Sequence, residues 1–312
     1  MLRSHRIPAQ LVENPQGGNY AKESLNMDGV IPILMYHSIS RQSGAAFFRP
    51  YAVPPERFAE QMAYLYNNGY TTLGVTQLIE ARQKNHIPER CVVITFDDGF
   101  ADFYVDALPV LKRYNQTASV YITTGYVGAT SLWMQPDEGN RPMLTWEQIK
   151  AIQEAGVEIG AHSHTHPQQL DVLPVNKAYS EITRSKELLE QQLDRPILSF
   201  AYPHGCHSPS LCQMLKRAGY TSACAVKYAF STPTDNPFAL ARIIITPDTD
   251  QQKFAASVAG KGWPISPVHE RIQTKGWRFV RWCAHRLPRT IRLRWRELLS
   301  RPIQINRNLP PQ

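Results

Sequence analysis

The sequence has 312 residues, of which 43% are hydrophobic, and a formal net charge of +8 at pH 7. This length accommodates one large α/β domain or two smaller ones, and the apolar content is ample for a packed core. The five cysteines are odd in number and form no Cys-x-x-Cys pair, which argues against a disulfide framework or a thiolate zinc site and indicates a reducing compartment.

The chain begins with a polar segment, residues 1–28, which we expect to form a loose arm. This segment contains early charges but no apolar core of signal-peptide length. No stretch of the sequence approaches the length of a membrane span. We therefore expect a soluble protein that is not exported and is located in the cytoplasm.

A first group of elements leads to two adjacent carboxylates. Residues 30–37 predict a buried strand that ends in His37. Further elements are predicted as a helix over 56–68, a strand over 70–73 and a helix over 75–83. Residues 91–96 form an apolar run typical of a parallel strand covered on both faces. Asp97 and Asp98 follow it, and Gly99 permits a sharp turn that lets both carboxylates face one mouth. A helix N-cap with a spare acid is the alternative.

The rest of the chain continues the alternation of helices and strands. Helices are predicted over 104–114, 146–155, 175–193, 209–218 and 252–258, and strands over 117–123, 157–161, 197–202, 222–226 and 239–246. The loop 125–145 carries Trp133 and is suited to a lid or a groove wall. This pattern predicts a parallel α/β barrel, or a close variant, over residues 29–262. Several polar residues fall where strands end, which is where such barrels hold their sites: His37, Asp97, Asp98, His162 and Tyr202.

Three histidines lie within five residues after the strand predicted over 157–161. His162 and His166 are four residues apart, a spacing that can place both imidazoles on one side of a helical turn. With one carboxylate they would form a site for zinc, iron, cobalt or nickel that keeps open positions. A polar loop rich in histidine is the alternative.

Together these segments resemble the polysaccharide deacetylase family, carbohydrate esterase family four. The family's Thr-Phe-Asp-Asp-Gly motif is present at 95–99 and its His-Ser/Thr-x-x-His motif at 162–166. Residues 200–205 resemble its third motif more weakly. The resemblance covers about residues 31–259. It implies a distorted (β/α)7-type barrel and metal-dependent N- or O-deacetylation of an acetylated glycan.

The resemblance also implies roles for individual residues. Asp98, His162 and His166 would hold a divalent metal, with Zn²⁺ the first expectation and Co²⁺, Ni²⁺ or Fe²⁺ the alternatives. Asp97 would act as general base, and the backbone N–H of Tyr202 would help to hold the oxyanion. The residues expected to contact substrate are Trp133, Pro203 and His204.

Two departures from the family pattern concern catalytic groups. The third motif usually begins with an arginine that steadies the catalytic aspartate, but no arginine is present at 199–201. Arg242 is the candidate replacement, and an ordinary surface arginine is the alternative. A late Leu-x-His is also missing from 240–246. The early Met-Tyr-His at 35–37 instead resembles the permuted branch that acts on poly-N-acetylglucosamine, so His37 is the predicted general acid. A strand-end histidine bonded to a backbone carbonyl is the alternative.

The C-terminal tail, residues 263–312, carries most of the charge. Eleven Lys or Arg oppose two Glu there, a net charge of +9 that leaves the rest of the chain at −1. Residues 277–299 mix apolar side chains with arginines, as in a basic amphipathic helix that lies peripherally on an anionic membrane. Packing of this helix on the barrel is an equal alternative. No nucleic-acid partner is expected, because no known binding module accompanies the charge.

Three functions are compatible with these features. A sugar deacetylase is the leading interpretation, and a cyclic amide or imide hydrolase on the same barrel is the second. The third is an inactive carbohydrate-binding relative. The intact aspartate pair and histidines argue against the third, while the missing arginine and late histidine keep it open.

Overall fold

The structure, a computed structural model, describes residues 30–41, 48–134 and 140–266. The predicted arm at 1–28 and the predicted basic helix at 277–299 lie outside these residues. Among the described helices, none is both long enough and apolar enough to cross a bilayer.

Ten strands and seven α-helices alternate along the described chain. The strands are β1 (Ile33–Tyr36), β2 (Ser38–Ile39), β3 (Ala52–Val53), β4 (Thr71–Leu73), β5 (Cys91–Phe96), β6 (Ser119–Ile122), β7 (Glu158–Ala161), β8 (Ser199–Ala201), β9 (Ser222–Cys224) and β10 (Ile243–Ile244). The helices are α1 (Pro55–Asn67), α2 (Val75–Gln83), α3 (Leu108–Arg113), α4 (Trp146–Glu154), α5 (Val175–Leu193), α6 (Pro209–Arg217) and α7 (Gln251–Val258).

Eight of the strands form one parallel sheet in the order β10-β1-β5-β6-β7-β8-β9, with β4 also paired to β5. The short stretch 240–244, which contains β10, joins β9 at one edge of the sheet to β1 at the other. Leu240 bridges Cys224 of β9, and Ile243 and Ile244 pair with β1. The sheet therefore curls into a distorted barrel, as predicted, and the carboxyl ends of its strands meet at one mouth. The remaining strands, β2 and β3, pair separately beside this mouth.

Alternation along the strands produces two apolar layers. In β5, Val92, Ile94 and Phe96 belong to the main core cluster, whereas Cys91 and Val93 belong to a smaller cluster that residues of α2 and of other strands complete. All six residues of β5 are buried. A strand covered on both faces reads as a continuous apolar run, which is why β5 is recognisable in the sequence.

Two predicted elements differ from the structure. The helix predicted over 104–114 begins as a π-helical turn, Phe103–Ala107, and becomes α-helical only at Leu108. Pro109 lacks the N–H that a regular α-helical turn would use there, which favours the wider turn. The strand predicted over 239–246 is reduced to β10, because Leu240 pairs with one edge of the sheet and Ile243 with the other.

Candidate metal centre

A carboxylate and two imidazoles converge at the barrel mouth. Asp98 follows β5 in a left-handed turn with φ 75°, and Gly99 continues that turn at φ 82°. The Nε2 atoms of His162 and His166 lie 3.3 and 3.2 Å from the same oxygen, Oδ1 of Asp98. All three side chains are buried, and each offers a ligand atom within 4.8 Å of the others. The structure thus assembles the three residues that the sequence predicts as metal ligands.

The segment that joins the two histidines is not helical, so the predicted helical turn is wrong. Ser163 and His166 adopt left-handed φ values of 65° and 53°. The Ser163 hydroxyl accepts a hydrogen bond from the His166 N–H at 3.1 Å. The imidazoles meet because the chain doubles back between them, a conformation that a spacing of four residues does not reveal.

The hydrogen bonds around the cluster indicate that it fits a cation. His162 Nδ1 lies 2.8 Å from the Ala201 carbonyl, which can only accept, so this nitrogen carries the proton. The Nε2 of neutral His162 is therefore an acceptor, and it faces the Asp98 carboxylate, another acceptor. A shared divalent cation resolves this conflict, and two imidazoles with one carboxylate suit Zn²⁺, Fe²⁺, Co²⁺ or Ni²⁺. Burial alone would raise the pKa of Asp98, but the adjacent His162 and His166 rings lower it well below its usual value, so the carboxylate is in the ionised form that a cation requires.

The second carboxylate, Asp97, is held by a buried arginine. Arg242 Nη1 lies 2.6 Å from Asp97 Oδ1, and Nη2 lies 2.7 Å from Oδ2. Arg242 also donates from Nε to the Ala225 carbonyl at 3.1 Å. It is 0% exposed, so the surface alternative is wrong. Burial alone would raise the pKa of Asp97, but the Arg242 charge and its hydrogen bond lower the pKa below its usual value.

The role predicted for the Tyr202 backbone is contradicted by its hydrogen bonding. Its N–H is already donated to the Cys224 carbonyl at 3.1 Å, as part of the pairing between β8 and β9. The Tyr202 hydroxyl donates to the Phe238 carbonyl at 2.9 Å. A backbone donor that is bonded within the sheet is not available to an oxyanion, so the role predicted for the Tyr202 N–H is wrong.

His37 lies at the mouth beside the two aspartates. Its ring meets the Tyr51 ring edge-on, with the centroids 4.8 Å apart. Its Nδ1 is buried and has no hydrogen-bond partner within the described part of the chain, which disfavours the carbonyl-bonded alternative at that atom. Burial lowers the pKa of His37, and the charges of Asp98 and Asp97 oppose this only in part.

Aromatic rings flank the metal cluster on one side. The Trp133 ring lies 4.8 Å from the His166 ring, and the His204 ring lies edge-on to it at 4.8 Å. His204 is exposed in a turn that begins at the buried Pro203, whereas Trp133 packs against Tyr126 at 4.9 Å. Trp133 and His204 therefore lie beside the cluster, and a role for either in a groove wall stays a prediction. Contact of Trp133, Pro203 and His204 with substrate stays a prediction.

A buried arginine that the sequence did not reveal ties the loop 125–145 to the strand after His37. Arg141 Nη2 lies 2.8 Å from the Ser38 hydroxyl and 3.3 Å from Asp102 Oδ2. Its guanidinium lies 4.5 Å from the Phe48 ring centroid and 5.5 Å from that of Phe100. Nothing in the local pattern of residue 141 indicates these partners, because they come from three separate segments.

The chain is similar to several known proteins. The family model for polysaccharide deacetylases matches residues 84–223. The chain is 30% identical over 229 residues to YxkH of Bacillus subtilis, a polysaccharide deacetylase by name, covering 73% of this chain and 76% of YxkH. It is 25% identical over 220 residues to a poly-beta-1,6-N-acetyl-D-glucosamine N-deacetylase of Staphylococcus aureus, covering 66% and 72%.

Two solved structures share the fold. IcaB from Ammonifex degensii has a TM-score of 0.64 at 26% identity, covering 74% of this chain and 97% of IcaB. The Streptococcus pyogenes deacetylase PplD, solved in complex with acetate, has a TM-score of 0.64 at 26% identity, covering 73% and 98%. Residues 84–223, which the family model matches, include the aspartate pair and the histidine segment.

Proposed function

Because this chain belongs to the polysaccharide deacetylase family, we propose that it hydrolyses acetyl groups from an N-acetylated sugar or polysaccharide and releases acetate. The observation that carries the proposal is the pairing of two carboxylates with different partners. Asp98 faces two imidazoles, whereas Asp97 next to it is held by Arg242. This arrangement separates a cation ligand from a proton acceptor within two consecutive residues.

Each residue has a distinct role in the proposed reaction. Asp98, His162 and His166 hold a divalent cation, with Zn²⁺ the first choice, which when bound polarises the acetyl carbonyl and lowers the pKa of a water. Asp97, kept ionised by Arg242, takes the proton of the attacking water. His37 gives a proton to the amine nitrogen as the carbon–nitrogen bond breaks. A lowered pKa makes its imidazolium a stronger acid toward that nitrogen, although a smaller fraction carries the proton.

The substrate class is proposed from the relatives and from the rings at the mouth. The Staphylococcus aureus relative is a poly-beta-1,6-N-acetyl-D-glucosamine N-deacetylase. The Trp133 and His204 rings beside His166 offer flat apolar faces on which a sugar ring can pack. We therefore propose a polymer of N-acetylglucosamine as substrate. A cytoplasmic location and a contact of 277–299 with an anionic membrane stay predictions.

Acetate release tests this function directly. The protein, loaded with Zn²⁺, is incubated with N-acetylated β-1,6-linked glucosamine oligomers and, separately, with chito-oligosaccharides. We expect acetate from at least one of them, and no acetate after chelation. Absence of acetate from all N-acetylated sugars would contradict the proposal, and turnover of a cyclic imide instead would support the second interpretation of the sequence.

The metal ligands predict the metal content of histidine variants. The double variant His162→Ala/His166→Ala should lose its divalent metal, because only Asp98 remains of the three ligands. Since an imidazole must be unprotonated to bind, and burial lowers the pKa of His166, the affinity of the wild type should fall as the pH drops below the usual histidine value of about 6.5. Elemental analysis measures the metal content of the variant, and that of the wild type after dialysis at several pH values. His164→Ala is the matched control in the same loop and should keep its metal; full metal in the double variant would refute the ligand set.

His37 predicts a dependence on the leaving group. His37→Ala should slow hydrolysis of an amide by about 10²–10⁴-fold, because the departing amine needs a proton. The same variant should hydrolyse an activated aryl acetate nearly as fast as the wild type, since that leaving group departs unprotonated. Metal content should not change. Equal losses on the two substrates would remove His37 from the proposed role.

A further inference from the structure

A carboxylate outside the ligand set holds the loop that carries the two histidines. We propose that Glu181 of α5 is a positioning residue that sets the metal affinity of the centre by clamping the loop between His162 and His166. This inference rests on the ligand set proposed above and concerns metal binding, not a step of the reaction.

Three hydrogen bonds join Glu181 to the middle of the loop. Its Oε2 accepts from the backbone N–H of His164 at 2.9 Å and from that of Thr165 at 2.7 Å. Its Oε1 accepts from the Thr165 hydroxyl at 2.6 Å. Two successive backbone N–H groups that converge on one oxygen form a concavity that favours an anion. One side chain thus occupies the donors of both residues at the apex of the loop.

The loop needs such a partner because its conformation is strained at both ends. Ser163 and His166 are left-handed and neither is glycine, so each residue disfavours the backbone that brings the imidazoles together. The Ser163 hydroxyl bonds the His166 N–H within the loop. Glu181 supplies a charged acceptor for two backbone N–H groups of this loop. Without it, the loop can relax and carry His162 and His166 away from Asp98.

The clamp can be removed without disturbing the packing of α5. Ile182 and Leu189 of this helix are 0% exposed and belong to the main core cluster. Glu181 is only partly buried, and Thr165 is exposed, so water can reach the donors that an alanine would leave. Removal of the Glu181 side chain should therefore change the geometry of the loop between His162 and His166 and should not unfold the protein.

Cobalt binding tests the clamp independently of activity. Metal-free wild type and variants are titrated with Co²⁺, and the dissociation constant is taken from the visible d–d absorption. Glu181→Ala should weaken Co²⁺ binding by about 10- to 100-fold, the range seen when groups that orient metal ligands are removed. Glu187→Ala, which removes an exposed carboxylate from the same helix, should bind Co²⁺ as the wild type does.

Two further variants separate the effect of side-chain length at residue 181 from the effect of its charge. Glu181→Gln keeps the length of the side chain and an oxygen that can accept both N–H groups, so its affinity should stay near that of the wild type. Glu181→Asp keeps the charge but is shorter by one methylene, and it should resemble Glu181→Ala.

The outcomes distinguish this inference from the proposed metal site. Failure of the wild type to bind Co²⁺ would overturn the metal site itself. Unchanged affinity in Glu181→Ala, with the wild type binding normally, would overturn the clamp alone. A lower unfolding temperature of the metal-free variant with an unchanged dissociation constant would also overturn it. If Glu181→Ala does not fold, the Co²⁺ affinities of Glu181→Gln and Glu181→Asp decide, and equal affinities in these two variants would overturn the clamp.

Discussion

Replacing Asp97 by asparagine should strongly slow acetate release and leave the metal in place, whereas replacing Asp98 by asparagine should remove the metal and the activity together. The two residues are adjacent, but their oxygens have different partners. Asp98 Oδ1 lies 3.3 and 3.2 Å from the Nε2 atoms of His162 and His166, whereas both Asp97 oxygens bond Arg242. Loss of the proton acceptor should lower turnover by about 10²–10⁴-fold.

Metal per chain and acetate release are measured on the same protein samples. Asp194→Asn is a suitable control, because Asp194 is exposed at the end of α5 and its left-handed backbone is one that asparagine tolerates. The control should keep both metal and activity. If Asp97→Asn and Asp98→Asn lose metal equally, the division of roles between the two carboxylates is wrong.

Replacing Arg242 by methionine should destabilise the protein by about 3–5 kcal/mol at neutral pH, because it leaves a buried carboxylate without its partner. Asp97 is 4% exposed and its two oxygens are bonded by this one side chain. Activity should fall as well, since the unpaired carboxylate favours its protonated form and can no longer accept a proton.

The pH dependence of this loss has a definite sign. In the wild type the folded-state pKa of Asp97 is lowered, so its pair with Arg242 stabilises the fold above the unfolded-state pKa, about 3.9, and that contribution is lost as pH falls through the folded-state pKa. In Arg242→Met, burial should raise the folded-state pKa above the unfolded value. The deficit of the variant relative to the wild type should therefore shrink as the pH is lowered from 7 toward 4.

Denaturant unfolding at several pH values measures this deficit. The double variant Asp97→Leu/Arg242→Met removes both charges and should be more stable than Arg242→Met alone. Arg217→Met, at the exposed end of α6, is the control and should change stability little. A deficit that does not depend on pH would show that Arg242 acts through packing and not through Asp97.

The barrel and the ligand set were predictable because their signals are local. The apolar run of β5 and the periodic apolar positions of α2 and α5 mark these elements, and the predicted and observed bounds of both helices coincide. Parallel strands bring their carboxyl ends to one edge. Residues that follow β5 and β7 therefore meet, which places Asp98 near His162 without any knowledge of the loops.

Predictions that depended on the path of a loop or on pairing at a strand edge were less successful. A spacing of four residues suggested a helical turn for His162 and His166, but two left-handed residues produce the convergence. The Tyr202 N–H is predicted to help to hold the oxyanion, yet it is donated to the Cys224 carbonyl of the neighbouring strand β9. Tertiary contacts set the backbone conformation of a few non-glycine residues and the last hydrogen bond between two strands. The periodicity of apolar residues in the sequence does not encode these contacts.

The sequence by itself determined which residues end the buried strands, and with them the fold and the three predicted metal ligands. Only the tertiary structure decided what holds these residues. Arg242 bonds Asp97 across 145 residues because the stretch 240–244 closes the barrel beside β1. Glu181 bonds the histidine loop because α5 packs behind it. Burial of a polar group requires a partner, but which distant side chain supplies it follows from the packing of segments and not from the local pattern of either one.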